Sequence, residues 1–222
     1  CPNGTFTASQ LADGSYTFMV TVTDAAGNSA NAPRAFSVDT VAPTVTITSG
    51  PTGPTNDNTP TFGFTTGGAP TTVTCTVGTQ SVSCPNGTFT ASQLADGSYT
   101  FTVTVRDAAG NQSSAPRAFS VDTAGPTIVF TSGPTQTVYS STTTFRSTAS
   151  GSYNFVECRN FRRNTTPPNQ WFNCATPSYT YSVQFPVYPP DTYAEWTFQI
   201  RVRDLAGNTG TASWNYSTGI VI

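Results

Sequence analysis

The sequence predicts an all-β protein made of tandem β-sandwich domains, about seven strands each. Three observations carry this. Residues 1–40 return at 84–123 with only five differences: Met19/Thr102, Thr23/Arg106, Ser29/Gln112, Ala30/Ser113 and Asn31/Ser114. The offset of 83 residues is the size of one small sandwich. Seventeen prolines and eighteen glycines exclude long helices, while Thr, Val, Phe and Tyr alternate in short runs.

The repeat sets the boundaries. Val38-Asp39-Thr40 precedes Pro43, and Val121-Asp122-Thr123 precedes Pro126, each a short junction closed by proline. Residues 41–123 form one complete domain, 1–40 read as the C-terminal half of a truncated one, and 124–222 as a divergent third. Within the complete domain, Thr44–Thr48 alternates as strand A, and Ser49–Asn58 is a turn-rich connection. Pro60–Thr65 with Phe62 and Phe64 is strand B. Val73–Val77 is strand C, and Gly78-Thr79 turns the chain into Gln80–Cys84. Thr88–Ser92 is strand E. Tyr99, Phe101, Val103 and Val105 alternate with threonines along strand F, and Ala118–Val121 is strand G. Tyr99 follows an Asp-Gly turn at the start of strand F, where a tyrosine corner would bond back to nearby backbone. Asp107-Ala-Ala-Gly-Asn111 closes the F–G hairpin: the carboxylate accepts turn N–H groups and Gly110 supplies the positive φ. Copies stand at Asp24–Asn28 and Asp204–Asn208.

Five cysteines fit the same ruler. Cys75 plus 83 is Cys158, so Cys75–Cys84 and Cys158–Cys174 pair as one local disulfide per domain. Cys1 is the copy of Cys84, with its partner expected upstream. Loops this short stabilise by about 2–3 kcal/mol each on chain entropy, and such bonds imply an oxidising compartment. Isolated cysteine pairs without histidine do not suit zinc. A lipidated Cys1 is the rival account of that residue.

Charge and composition narrow the function. Only 9% of residues are charged, and histidine is absent. No nucleophile–base pair can be assembled on a histidine, so the sequence does not read as an enzyme. No apolar run approaches the ~20 residues of a membrane span. Residues 1–123 carry a net charge of −4 and residues 124–222 a net of +2, all basic residues being arginine. So small an excess does not suit nucleic acid.

The Val-Asp-Thr-x-x-Pro-Thr junctions, Thr-Ser-Gly-Pro-Thr, Thr-Asn-Asp-Asn-Thr-Pro-Thr-Phe, Leu-Ala-Asp-Gly-Ser-Tyr-Thr-Phe and Asp-Ala-Ala-Gly-Asn resemble bacterial Ig-like tandem repeats. Such repeats occur in large secreted and surface-attached proteins, adhesins among them. The likeness covers 1–133 strongly and 134–222 partially. It implies domains stacked end to end as a stalk, neighbouring repeats being each other's partners, and in some members calcium at the junctions. The implied topology brings Asp39 towards Asp107 and Asn111. It brings Asp122 towards Asp57 and Asp96 on one side, and towards Asp204 and Asn208 on the other. Carboxylates suit Ca²⁺, which takes 6–8 oxygens. The alternative is that these aspartates only stabilise turns, with no cofactor required.

The third domain departs by two insertions of seven residues. The tyrosine-corner position becomes Trp196, with Tyr193 as a shifted substitute. The first insertion, held at its base by Cys158 and Cys174, carries Arg159, Phe161, Arg162, Arg163, Trp171 and Phe172. Arginine with aromatics on a stapled loop suits a protein or glycan partner. The bland alternative folds Phe161, Trp171 and Phe172 back as a lid on the core. The second insertion lies around Phe185–Pro190, and sequons at Asn164 and Asn215 are weak signals. The sequence thus predicts a stalk or spacer segment whose last domain meets a ligand. The other candidate is a subunit of an extracellular fibre, with 124–222 contacting identical subunits.

Overall fold

The computed structural model describes residues 4–139, 142–163, 166, 170–174, 181–184 and 193–219. Cys1 and the second insertion, 185–190, lie outside them. The described residues are strands and turns throughout. The chain divides into two compact units, one of residues 1–50, 61–91 and 100–118, the other of 51–60, 92–99 and 119–222. The division crosses the expected domain 41–123.

In the first unit, β1 (Gly14–Thr23) and β2 (Ser29–Val38) form a hairpin in register from Gly14↔Val38 to Thr23↔Ser29. Among the described residues it stands as a two-stranded sheet. Val22 is accordingly 62% exposed, whereas its copy Val105 is fully buried. Next come β3 (Thr44–Ser49), β5 (Thr61–Gly67) and β8 (Thr88–Thr90), which form a sheet in the order β3-β5-β8. Strands β6 (Thr72–Val77) and β7 (Gln80–Ser83) pair through a two-residue turn at Gly78-Thr79. The sheet order is β4-β10-β9-β6-β7, where β4 (Pro54–Thr55), the first residues of β9 (Gly97–Arg106) and the last of β10 (Gln112–Val121) are counted in the second unit.

The core of the first unit is aromatic: the Phe62 and Phe101 rings stack at 4.1 Å, and Phe89 lies 5.4 Å from Phe101. Gly50 has φ +115°, and a Cβ there would stand 2.3 Å from Phe62, so only glycine fits the turn that passes over this ring. Arg117 donates to the carbonyls of Gly50 and Ile47, fixing the same turn from the β10 side. Two sequence boundaries move. Strand G begins at Gln112 rather than Ala118, because Pro116 sits where β10 has no partner on that side: β4 meets β10 only at Ser120 and Val121. The turn-rich connection holds that short strand β4, paired in parallel.

The second unit holds β11 (Thr127–Ser132), β12 (Thr142–Ser150), β13 (Phe155–Arg162), β14 (Phe172–Asn173), β15 (Tyr181–Gln184), β16 (Tyr193–Arg203) and β17 (Thr209–Gly219). They form two sheets, β11-β12-β15 and β14-β13-β16-β17. The core gathers Ile128, Phe145, Val156, Cys158, Phe198, Ile200, Val202 and Tyr216, with Trp196 and Trp214 packed against it. Phe145 stacks on Phe198 at 4.4 Å. These are the counterparts of Phe62 and Phe101, so the central aromatic pair survives both insertions. Both expected disulfides form, Cys75–Cys84 and Cys158–Cys174.

Candidate functional site: two repeat junctions and one charged sheet face

The Asp-x-x-Gly-Asn turns close as their chemistry requires. The Asp107 carboxylate accepts from the N–H groups of Gly110 (2.7 Å) and Asn111 (2.9 Å), and from the Asn111 side chain (2.9 Å). The Asn111 bond foremost, against the cost of burial, holds the Asp107 carboxyl below its ordinary value. Asp24 is lowered the same way by Asn28, and Asp204 accepts from the Asn208 backbone and side chain. At Asn111 and Asn208 the second amide hydrogen leaves the turn. Asn111 Nδ2 donates to the carbonyl of Asp39 at 2.9 Å, and Asn208 Nδ2 to that of Asp122 at 2.8 Å.

The residues after those carbonyls are held from the other side. Thr40 donates through its N–H (3.1 Å) and hydroxyl (2.9 Å) to Asp13, and Thr123 does the same to Asp96 at 3.0 and 2.8 Å. Asp39 and Asp122 turn their own carboxylates onto the N–H of Val41 and Ala124. Asp57 caps Thr59. Asp39 therefore meets Asn111, and Asp122 meets Asn208, through backbone carbonyls, whereas Asp57 and Asp96 bond Thr59 and Thr123. Among the described residues no three Asp, Glu, Cys or His side chains gather at one point. Tyrosine corners stand where expected, Tyr16 to the Ala12 carbonyl (2.8 Å) and Tyr99 to that of Ala95 (2.9 Å). In the third repeat Trp196 Nε1 donates to Thr218 Oγ1, and the side chain of Tyr193 lies outside the described set.

Four of the six residues predicted for the binding loop lie on strands, Phe172 on β14. Arg159, Phe161 and Arg162 lie on β13, because the insertion lengthens it and its pairing with β16 runs on to Arg162↔Trp196. Arg163, just past the strand, pairs with Glu195 at 3.1 Å. Alternation on β13 sends Val156 and Cys158 inward and Glu157 and Arg159 outward; on β16 it sends Ile200 and Val202 inward and Gln199, Arg201 and Arg203 outward. Glu157 accepts from Arg201 Nε (2.7 Å) and Arg203 Nη2 (3.1 Å), and Arg159 Nε donates to Gln199 (2.7 Å). The Arg201 bond, then burial in opposition, then Arg203, leave the Glu157 carboxyl below its ordinary range.

Trp171 joins this outward cluster: the guanidinium carbons of Arg201 and Arg159 lie 4.2 and 4.4 Å from its ring centroid. Neither Phe161, Trp171 nor Phe172 belongs to the core cluster. Beside them opens a shallow cleft of about 580 Å³ lined by Glu157, Gln170, Trp171, Phe172 and Arg201. Glu157, Gln199, Arg201 and Arg203 were not among the sequence candidates, although their period-two placement on paired strands was the signal for them.

A bacterial Ig-like domain model matches residues 2–40 and 46–123, more than half of the chain. The chain belongs to the bacterial Ig-like domain family. The match leaves the third repeat of this Ig-like chain uncovered. The chain is also similar to chitinase A1 of Niallia circulans, 39% identical over 142 residues, covering 55% of this chain and 20% of that protein. It thus spans about a fifth of the length of that relative. Among solved structures it resembles the fibronectin(III)-like modules of Clostridium thermocellum CbhA, at TM-score 0.51 and 15% identity, covering 80% of this chain and 94% of that one. That likeness shows the fold alone.

Proposed function

We propose that this Ig-like chain is a non-catalytic spacer segment of a larger extracellular protein, its first two repeats setting distance and its third meeting a partner. The observation that carries this is the recurrence of one joining device. The turn asparagine of a repeat binds the last aspartate carbonyl of the repeat before it, while the preceding Asp-Gly aspartate holds the next threonine. A linker bonded from both sides loses little freedom to bending, which is what a spacer requires. Two disulfides support an oxidising location. A segment matching a fifth of a chitinase, in a chain without histidine, supports an accessory role.

Residual dipolar couplings of the full chain test the spacer. One shared alignment tensor is expected across each junction, and separate tensors would refute it. Light scattering and electron microscopy test the fibre alternative. A monomer at all concentrations is expected, and a regular polymer would replace the spacer with a fibre subunit.

A further inference from the structure

We infer that the outward face of β13 and β16 in the third repeat binds an acidic polysaccharide, one bearing carboxylate or sulfate groups. This rests on the partner-binding role proposed for that repeat. The repeats themselves provide the comparison. In the second repeat the same positions form a threonine ladder, Thr74↔Thr104 and Thr76↔Thr102. In the third they become Glu157↔Arg201 and Arg159↔Gln199. The core pair is kept while this face is rewritten, so the change is not one the fold demands. A threonine ladder already satisfies a solvent-facing sheet.

The new side chains specify the ligand's charge. Arg159, Arg201 and Arg203 face a single Glu157, leaving a net of two positive charges. Glu157 orients Arg201 and Arg203 without exhausting Arg201. Arg201 uses only Nε, so both its amino groups keep their N–H donors unpaired among the described residues. A guanidinium fork held from behind matches a carboxylate or sulfate in front. Trp171 and Phe172 line the cleft beside it, a surface on which the C–H face of a sugar ring can lie. Neighbouring β17 adds Thr211, Ser213 and Asn215 on the same face, with Ser213 and Asn215 tied to Gln199 and Thr197. Hydroxyls and amides of this kind suit sugar hydroxyls.

The test titrates the full chain with an oligogalacturonate, a sulfated heparin fragment, a neutral oligosaccharide of equal length and a glutamate-rich peptide. Binding of one or both acidic sugars is expected, at least tenfold tighter than the neutral sugar and weakened at least threefold between 50 and 300 mM salt. Trp171→Ala, and the charge-neutral double change Glu157→Gln with Arg201→Gln, should each lower affinity at least tenfold with an unchanged circular dichroism spectrum, and Arg34→Gln should not. Preference for the neutral sugar or the peptide, lost in Trp171→Ala, overturns the ligand class and leaves the partner-binding role standing. No binding of any probe, or binding indifferent to these changes, overturns the site, while the spacer role is judged separately by the junction couplings.

Discussion

Asn111→Ala isolates the joining device. Asn111 makes two side-chain bonds, one inside its own turn to Asp107 and one to the Asp39 carbonyl at 2.9 Å. The second is a neutral amide–carbonyl bond and contributes about 1 kcal/mol. Opening of residues 39–41 must break it together with the Thr40–Asp13 and Val41–Asp39 bonds, so its loss should raise the open population about fivefold. The assay is hydrogen exchange at the amides of Thr40 and Val41 under conditions where exchange follows local opening. Asn28→Ala is the control: Asn28 makes the same turn bond to Asp24, and no described bond to a preceding linker. The expected result is a roughly fivefold acceleration at Thr40 and Val41 in Asn111→Ala, and none in Asn28→Ala. Equal protection of Thr40 and Val41 in Asn111→Ala and the parent chain would refute the device, whatever happens in the turn.

Three further outcomes are expected. Replacing Cys75 and Cys84 together by serine should cost about 2–3 kcal/mol on the loop-entropy account, read as a lower urea midpoint for the transition that reports Phe62 and Phe101. Glu157 has a folded pKa below its ordinary 4.5, so its contribution is full above that value and is lost as pH falls through the lowered one. The urea midpoint of the third repeat should therefore drop between pH 5 and pH 2.5, and Glu157→Gln should show a visibly shallower drop; identical slopes would count against the Glu157 cluster. For calcium, the aspartates at both junctions are already engaged by N–H and hydroxyl donors, so calorimetry at millimolar Ca²⁺ should give no saturable heat and chelator no shift in melting temperature. A saturable heat would restore the cation at the junctions.

Where repetition and alternation act alone, the fold was legible. The 83-residue ruler paired the cysteines, and the Asp-Gly-Ser-Tyr run placed the tyrosine corner at Tyr99. It also brought Asp39 to Asn111 and Asp122 to Asn208, although carboxylate contacts were expected and asparagine-to-carbonyl bonds were found. That difference is one of reach. The turn engages both oxygens of the aspartate carboxylate, while asparagine, with two amide hydrogens, gives one to the turn and one to the linker carbonyl. The binding cluster was less legible because the insertion read as a loop. Pairing of β13 with β16 turned its first residues into strand, and pairing also brought in Arg201 and Arg203, some 40 residues away in sequence. Such partners follow from register, which an insertion of seven residues conceals.

The third repeat therefore differs from the others in a particular way. A repeat drifting under relaxed constraint would be expected to lose core and surface positions together. Here Phe145 and Phe198, the disulfide, the Asp204–Asn208 turn and its bond to Asp122 are all retained. The altered positions concentrate on one outward face, where four threonines of the second repeat give way to Glu157, Arg159, Gln199 and Arg201. Burying part of that charge is costly unless the groups are paired; the shared carboxylate of Glu157 supplies the pairing, while among the described residues Arg203 Nε is left buried without a partner. A threonine ladder would hold the sheet without that cost. The bonds at both junctions are kept while this one face is rewritten, and that contrast supports the ligand contact proposed for it.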